Sequence, residues 1–359
     1  MRLFSSKLYC EDVKYVANID LPWEKLQNNS ILLSGATGQF GSFLTDVIMY
    51  RNKKGLNCKV YALGRNEEKA KKRFDYCAES EYFEFIKYDI NEPLITENID
   101  KIGYVIHLAS NTHPVQYASN PIGTIITNII GVKNMLDYCV EHHADGFAFA
   151  SSNEVYGENR GDVELFDELY CGYIDCNTMR AGYPESKRCG EALCQAYISQ
   201  KGLDVVIPRF TRSFGPTLLQ SDTKASSQFI HKALAGEDIV LKSDGTQYYS
   251  YTYTADAVAG LLFVLLKGEC GSSYNIASSS CDVMLKDLAL KIANCCDKKV
   301  IFEIPEELES AGYSCATKAR LSGNKLQSLG WMPKFDLSTG IERTIRILKN
   351  NQNMEGIKA

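Results

Sequence analysis

The feature that most limits how this chain folds is an alternation. Short apolar runs are followed by turn residues and then by segments whose apolar positions recur at helical spacing. Ile31-Leu32-Leu33 runs directly into glycines and then into Phe43, Leu44, Val47 and Ile48, which reads as strand, tight turn and helix. Strands are expected over 58–63, 83–88, 104–109, 146–150 and 205–210. Helices are expected over 67–77, 123–140 and 185 to about 199. Strands that alternate with helices pair in parallel through right-handed crossovers, so the expected fold is α/β with a doubly wound parallel sheet. Beyond about residue 211 the signal is mixed, with helices over 226–235, 254–266 and 337–348 and a strand over 239–241. The expected organisation is a helical extension at 1–30, marked by Val13, Val16, Ala17 and Ile19, then the sheet domain at 31–210. A smaller mixed α/β lobe at 211–359 is interleaved with the last sheet elements.

Composition removes several classes of function. A net charge of −5 argues against a nucleic-acid partner, so any phosphate must be held by local features. The longest apolar run, near 257–266, is far short of the about 20 residues a membrane helix needs. The first twenty residues carry no apolar core with a small-residue cleavage site, so no secretion signal is read there. The thirteen cysteines include no CxxC pair, and Cys295-Cys296 is adjacent rather than spaced for a metal. They read as reduced thiols in the cytosol, with no metal site.

Ser34-Gly35-Ala36-Thr37-Gly38-Gln39-Phe40-Gly41 places three glycines between the first strand and the helix after it. Gly35 suits a tight turn off the strand, Gly38 a close approach of backbone to a pyrophosphate, and Gly41 close packing of helix on sheet. The helix then offers its unpaired N–H groups and positive dipole end to that phosphate. In this strand–turn–helix context the pattern reads as a dinucleotide site, with Thr37, Gln39 and Phe40 as further cofactor contacts. Enzymes that use NAD place Asp or Glu at the end of the second strand. This chain has Leu63-Gly64-Arg65-Asn66 there, so Arg65 is positioned for a 2′-phosphate and NADP is favoured over NAD. Asp89 and Ile90, after the third strand, would flank the adenine.

Tyr183-Pro184-Glu185-Ser186-Lys187 puts a phenol and an ammonium four residues apart, on one face of a helix. A free tyrosine, with a pKa of about 10, is a poor base at neutral pH. A neighbouring ammonium and the charge of a nicotinamide favour its phenolate. Upstream, Ser151-Ser152-Asn153-Glu154-Val155-Tyr156-Gly157 ends a strand and offers a hydroxyl for the reacting oxygen of a substrate.

With these motifs in order, the chain resembles the extended short-chain dehydrogenase/reductases of the NAD-dependent epimerase/dehydratase family, from about residue 31 to 348. The resemblance includes His107-Leu108-Ala109-Ser110, the stretch from Asn120 through Asn128 to Asn134, Arg209…Phe214-Gly215-Pro216 and Leu329-Gly330-Trp331. It implies a nucleotide-sugar substrate that loses its C4 hydroxyl proton to Tyr183 and its hydride to the cofactor. Ser152 would hydrogen-bond the sugar and Lys187 would activate Tyr183 and hold the ribose, with Leu108 and Ala109 bordering the cofactor. Many relatives are homodimers built from two helices per subunit, here 123–140 and 185–199.

Glu154 sits where dehydratases and UDP-glucuronate decarboxylases of the family carry Glu, and Asn153 replaces the usual dehydratase Asp. Arg212 stands where many relatives have Asn, and Tyr249 stands where an arginine usually grips the diphosphate. The expected substrate contacts are therefore His113, Ser152, Asn153, Arg212, which is a candidate to carry the relocated charge, and Tyr249. Epimerase, dehydratase, decarboxylase and 4-keto-reductase activities all remain open, and so does a catalytically silent dinucleotide sensor.

Overall fold

The structure, a computed structural model, describes residues 3–96, 99, 102–112, 117, 119–303 and 317–356, with side chains to residue 351. Helix α1 (Lys7–Ala17) precedes strand β1 (Ser30–Ser34), which turns into α2 (Gln39–Asn52). Next come β2 (Lys59–Gly64), α3 (Glu67–Phe74), β3 (Phe83–Lys87), β4 (Tyr104–His107) and α4 (Pro121–Glu141). Strand β5 (Gly146–Phe149) and the two-residue β6 (Ser151–Ser152) lead through a long loop to α5 (Gly182–Lys201) and then β7 (Val205–Phe210). The remainder runs β8 (Arg212–Phe214), α6 (Ala225–Leu234), β9 (Ile239–Leu241), β10 (Tyr248–Tyr253), α7 (Thr254–Lys267) and β11 (Ser273–Ile276). It ends with β12 (Asp282–Met284), α8 (Leu285–Asn294), β13 (Val300–Phe302), β14 (Lys318–Ala319), α9 (Asn324–Ser328) and α10 (Leu337–Gly356).

The main sheet has the order β3-β2-β1-β4-β5-β7-β11, every pairing parallel, with β6 added beside β7. Its middle strands are apolar on both faces because helices cover both sides, and all of β1 is buried. This is the expected doubly wound α/β sheet, and the strand order reverses between β1 and β4, where such sheets open a crevice at their carboxyl ends. The edge strand β11 is supplied from beyond residue 211, in register with β7 from Ser273 opposite Ile207 to Ile276 opposite Phe210. A smaller sheet has β10 at its centre, between β12 and β14, with β8 continuing alongside it. Strands β11 to β14 are too short to have been read from the sequence, whereas helix α8, with Leu285, Leu288, Ala289, Ile292 and Ala293 at helical spacing, was legible there and was missed.

Two helices begin earlier than their apolar spacing suggests. Helix α4 starts at Pro121, where a fixed φ and a missing N–H are tolerated, and the Asn120 side chain caps it by accepting from Gly123 N at 3.2 Å. Helix α5 starts at Gly182, so Pro184 lies in its first turn and Tyr183 lies inside the helix.

Helix α1 braces the two parts of the molecule. Tyr9 donates to Asp46 of α2, which also pairs with Arg73 of α3 and accepts from Tyr76 at 2.6 Å. Asp12 pairs with Arg343 of α10 at 2.7 Å and accepts from Tyr253 of β10 at 2.6 Å. Asp46 and Asp12 are both fully buried, and burial pushes the Asp12 carboxyl upward against the pull of Tyr253 and Arg343. No described helix is long and apolar enough to cross a membrane.

Candidate active site

The glycine turn is packed so that only glycine fits. Gly35 has φ +72°, and a Cβ there would stand 2.8 Å from Ala109 N and Leu108 C at the end of β4. A Cβ on Gly41 would stand 2.4 Å from the Gly35 carbonyl oxygen. The turn therefore lies flat under the crevice, with Gly38 at the N-cap of α2 and no acidic residue in that helix's first turn. This cradle fits a dinucleotide pyrophosphate.

The flanking residues hold the turn in place. Gln39 donates through Nε2 to Thr254 Oγ1 at 2.7 Å, while its carbonyl accepts from Thr217 Oγ1 at 2.8 Å. Phe40 stacks on Phe210 with centroids 4.5 Å apart, and Thr37 is half-buried between these contacts and Gly38. Ser34 Oγ accepts from Ala109 N at 3.2 Å and bonds His107 Nδ1 at 2.9 Å, tying Leu108 and Ala109 to the turn. Arg65 is exposed at the carboxyl end of β2, and Asn66 beside it caps α3 by accepting from Lys69 N at 2.8 Å. Asp89 folds onto Asn91 N at 3.0 Å, and Ile90 is buried over Gly131. All of these positions lie along the carboxyl edge of the parallel sheet.

Ser152 reaches this edge because β6 pairs with the end of β7, Ser152 opposite Phe210. Its hydroxyl accepts from Glu154 N at 3.2 Å and is hydrogen-bonded to the Tyr183 phenol, which Tyr117 also contacts. One turn along α5, Lys187 Nζ donates to Ala150 O at 2.8 Å and lies 4.9 Å from the centre of the Phe149 ring. Burial drives both groups toward their neutral forms. The Tyr183 phenol is pushed up to about 12, by burial first and against the hydrogen bond from Ser152 and the charge of Arg180. The Lys187 ammonium is pushed down to about 8, by burial first and against the pull of Glu191. The sequence alone suggested an ammonium that draws the phenol downward. In the fold Lys187 points instead at the Ala150 carbonyl, and desolvation is the larger effect on the phenol.

Two supporting networks join side chains whose pairing the sequence reading did not find, although Ser110, Asn128 and Arg209 lie in motifs it named. Below Ser152, Ser151 Oγ donates to Glu191 at 2.5 Å, and Glu191 takes a bidentate pair from Arg209 at 2.9 and 2.6 Å. Arg209 also donates to the Tyr156 hydroxyl at 2.9 Å, which in turn donates to Asn275 Oδ1 at 2.6 Å. The available signal was the Lys187–Glu191 spacing of four, which puts both on one helix face. On the other side, Ser110 donates to Asn128 at 2.7 Å, Asn128 donates to Ser186 at 2.9 Å, and Ser186 donates to the Tyr183 carbonyl at 2.8 Å.

Above Ser152 lies a cluster of charge. Arg180, just ahead of α5, donates to Glu154 Oε2 at 2.6 Å, and Arg212 of β8 reaches within 3.9 Å of Oε1. The Arg212 guanidinium rests 3.6 Å from the centre of the Tyr249 ring. Arg180 lies over Tyr117 at 4.8 Å, and Tyr117 stacks on Tyr183 at 4.7 Å, forming a column that ends at the phenol. Asn153 is buried beside these groups. His113 lies outside the described residues. The fold thus gathers Ser152, Glu154, Tyr183, Lys187, Arg212 and Tyr249 at one place, and adds Arg180 and Tyr117, which the sequence reading did not single out.

A family model, the NAD dependent epimerase/dehydratase family, matches residues 31–277. UDP-glucuronic acid decarboxylase 1 of Xenopus tropicalis is 32% identical over 322 residues, 89% of this chain and 72% of that protein. UDP-glucuronic acid decarboxylase 3 of Arabidopsis thaliana is 31% identical over 314 residues, 88% of this chain and 87% of that protein. Among solved structures, UDP-glucose 4-epimerase of Thermotoga maritima superposes with TM-score 0.76 at 21% identity, covering 90% of this chain and 99% of that one. The dTDP-glucose 4,6-dehydratase of Bacillus anthracis, in complex with NAD, gives 0.74 at 18% identity over 90% and 98% of the two chains. This chain is an enzyme that belongs to the NAD-dependent epimerase/dehydratase family.

Proposed function

We propose that this enzyme oxidises C4 of a nucleotide-activated uronic acid, removes the C5 carboxyl group as carbon dioxide, and then reduces C4 again. The observation that carries this reading is the Glu154 carboxylate, ion-paired to Arg180 two residues beyond the hydroxyl that would orient the sugar. The decarboxylase relatives point the same way. A dinucleotide with its pyrophosphate in the glycine cradle would supply a nicotinamide able to accept a hydride and return it.

The chain's own residues do the rest. Ser152 holds the C4 oxygen, and Tyr183, whose phenolate the positive charge of a bound nicotinamide would favour over the effect of burial, takes the C4 hydroxyl proton and gives it back at the end. Lys187, fixed on the Ala150 carbonyl, places a positive charge near the phenol without pairing with it. A C4 ketone makes the C5 carboxylate a β-keto acid. Its C5–C6 bond breaks with the electron pair moving onto the C4 oxygen, where the hydroxyls of Ser152 and Tyr183 donate to the developing charge. C5 then takes up one proton that comes from solvent, on the side of Glu154, and the C4 ketone re-forms for reduction.

Three finer readings accompany this one. The absence of an acid at the end of β2, with Arg65 exposed there, supports a preference for NADP over NAD. The exposed Ile122 and Ile126 of α4 support a homodimer formed through α4 and α5. The organisation into residues 1–30, 31–210 and 211–359 is a helical extension, a cofactor domain and a substrate lobe.

The test is mass spectrometry of products after incubation with a panel of nucleotide sugars, with no reduced cofactor added. A product of UDP-glucuronate lighter by carbon dioxide is expected, and it should vanish in Tyr183→Phe. Loss of water instead would indicate a dehydratase, and an isomer of unchanged mass an epimerase. Product formed only from a 4-keto sugar with NADPH would indicate a reductase. A Tyr183→Phe protein as active as the parent would point to a silent sensor. Any of these four results overturns the lyase reading.

A further inference from the structure

The charge cluster does not balance. One carboxylate, Glu154, faces two guanidiniums, and three buried guanidinium nitrogens are left over. Arg180 Nε, Arg180 Nη1 and Arg212 Nη1 have no hydrogen-bond partner among the described residues. The side chains of Arg180, Glu154 and Arg212 are 12%, 19% and 19% exposed, so water does not freely serve these donors. An unpaired donor on a charged buried group is costly, and a fold keeps several in one place when a ligand is to meet them. Surplus positive charge with several unpaired N–H donors suits a carboxylate or a phosphate.

Position separates these two candidates. Arg180 is joined to the catalytic phenol through the Tyr117 ring, and Glu154 is two residues from Ser152. The unpaired donors therefore stand at the reacting end of the sugar. If the C4 oxygen lies on Ser152 and Tyr183, the substituent on the adjoining C5 lies toward the cluster, whereas the diphosphate is attached at C1, across the ring.

We propose that Arg180 and Arg212 form a carboxylate subsite that recognises the acid group on C5 of the sugar, with Tyr249 as the platform that holds the Arg212 guanidinium. This rests on the reading that the sugar is oxidised at C4 by the Ser152–Tyr183–Lys187 site. Arg180 offers Nε on one side of Nη2 and Nη1 on the other, while Nη2 itself stays on Glu154. Arg212, on a different strand and resting on a ring, is the arm that closes on the second carboxylate oxygen. A neutral CH2OH at C6 leaves the same donors buried and unpaired, so the cluster selects against neutral sugars as well as for acidic ones.

The test is calorimetric titration of cofactor-loaded Tyr183→Phe protein, in which turnover is blocked, with UDP-glucuronate and with UDP-glucose. The acidic sugar should bind at least about tenfold more tightly, as charge-assisted hydrogen bonds to a desolvated group imply. Adding Arg212→Met or Arg180→Lys should remove that preference while the UDP-glucose affinity stays within about twofold. Repeating the comparison with glucuronate 1-phosphate and glucose 1-phosphate frees it from the identity of the base. Because the two arginines lie on separate segments, Arg212→Met carries the test if Arg180→Lys fails to fold. No preference in the parent, or an equal loss for both sugars, overturns the proposal, the second result assigning the arginines to the diphosphate. A parent that prefers the acidic sugar while the wild type releases no carbon dioxide overturns the lyase reading and leaves the subsite standing.

Discussion

Two of the buried arginine–carboxylate clusters in this molecule lie at about the same depth and are built differently. In the brace around α1, Arg73 is 14% exposed and Arg343 17%, and neither keeps a buried N–H without a partner. Arg73 serves Asp46, Tyr9 and the Ser42 carbonyl, and Arg343 serves Asp12, Glu11 and the Leu8 carbonyl. At the active site, Arg180 makes one bond to Glu154 and leaves two nitrogens empty, and Arg212 stands off at 3.9 Å. A buried ion pair repays its desolvation only when its remaining donors and acceptors are also satisfied. The brace meets that condition within the chain, so it is a structural joint. The active-site cluster does not, and its missing partners are left for a ligand.

The largest effect should come from breaking the brace. Asp12→Ala leaves Arg343 with only the half-exposed Glu11 carboxylate at 3.4 Å and the buried Tyr253 hydroxyl without its acceptor, and about 3–5 kcal/mol of stability should be lost in urea unfolding. A loss below about 1 kcal/mol would remove the distinction between the clusters.

Next comes Lys187, a charge buried against one carbonyl at the proposed catalytic site. Its ammonium is pushed down to about 8, so burying it charged at pH 7 costs about 3 kcal/mol. Lys187→Met should therefore abolish turnover and stabilise the fold by about that amount. The sign with pH follows. From pH 8 to the ordinary lysine value near 10.5 the unfolded chain holds the proton and the folded chain does not. Wild-type stability therefore rises through that window, and the advantage of the variant should shrink across it. An advantage that stays constant from pH 7 to pH 10 would mean that Lys187 is not desolvated as described.

The glycine cradle resembles the brace in being closely packed. Gly41→Ala forces a Cβ to 2.4 Å from the Gly35 oxygen, and should cost about 1–3 kcal/mol and weaken nicotinamide dinucleotide binding about tenfold or more. Unchanged dinucleotide affinity, read by fluorescence titration, would argue that α2 does not carry the phosphate.

The smallest effect on stability is expected where the cluster waits for a ligand. Arg212→Met should leave the unfolding free energy within about 1 kcal/mol of the parent, or raise it, because it removes a buried charge whose N–H is unpaired. A loss comparable with that of Asp12→Ala would make the cluster a second structural joint.

Legibility followed the range of the interaction. The glycine turn, the strands β1, β2, β4 and β7 and the pair Tyr183–Lys187 are set by local conformation and by spacing along one element, so they could be read in order along the chain. The edge strand β11, the Glu191–Arg209 support and Arg180 were not. A four-residue strand completed by a neighbour 66 residues away has no period of its own. An arginine in a loop before a helix looks like any surface charge until its partner is known. The protonation of Tyr183 was likewise beyond reach, because desolvation depends on everything that surrounds the ring.

From sequence alone come the parallel α/β architecture, a glycine turn between strand and helix, and Ser152, Tyr183 and Lys187 as candidates, each encoded in local turn chemistry or helical period. Tertiary structure alone decided which charges balance. Asp12 and Glu154 are equally acidic in the sequence, but one meets its arginine with every donor used and the other meets two arginines with donors to spare. Such a balance depends on how strands and helices distant in sequence are brought together, and on the water excluded when they meet.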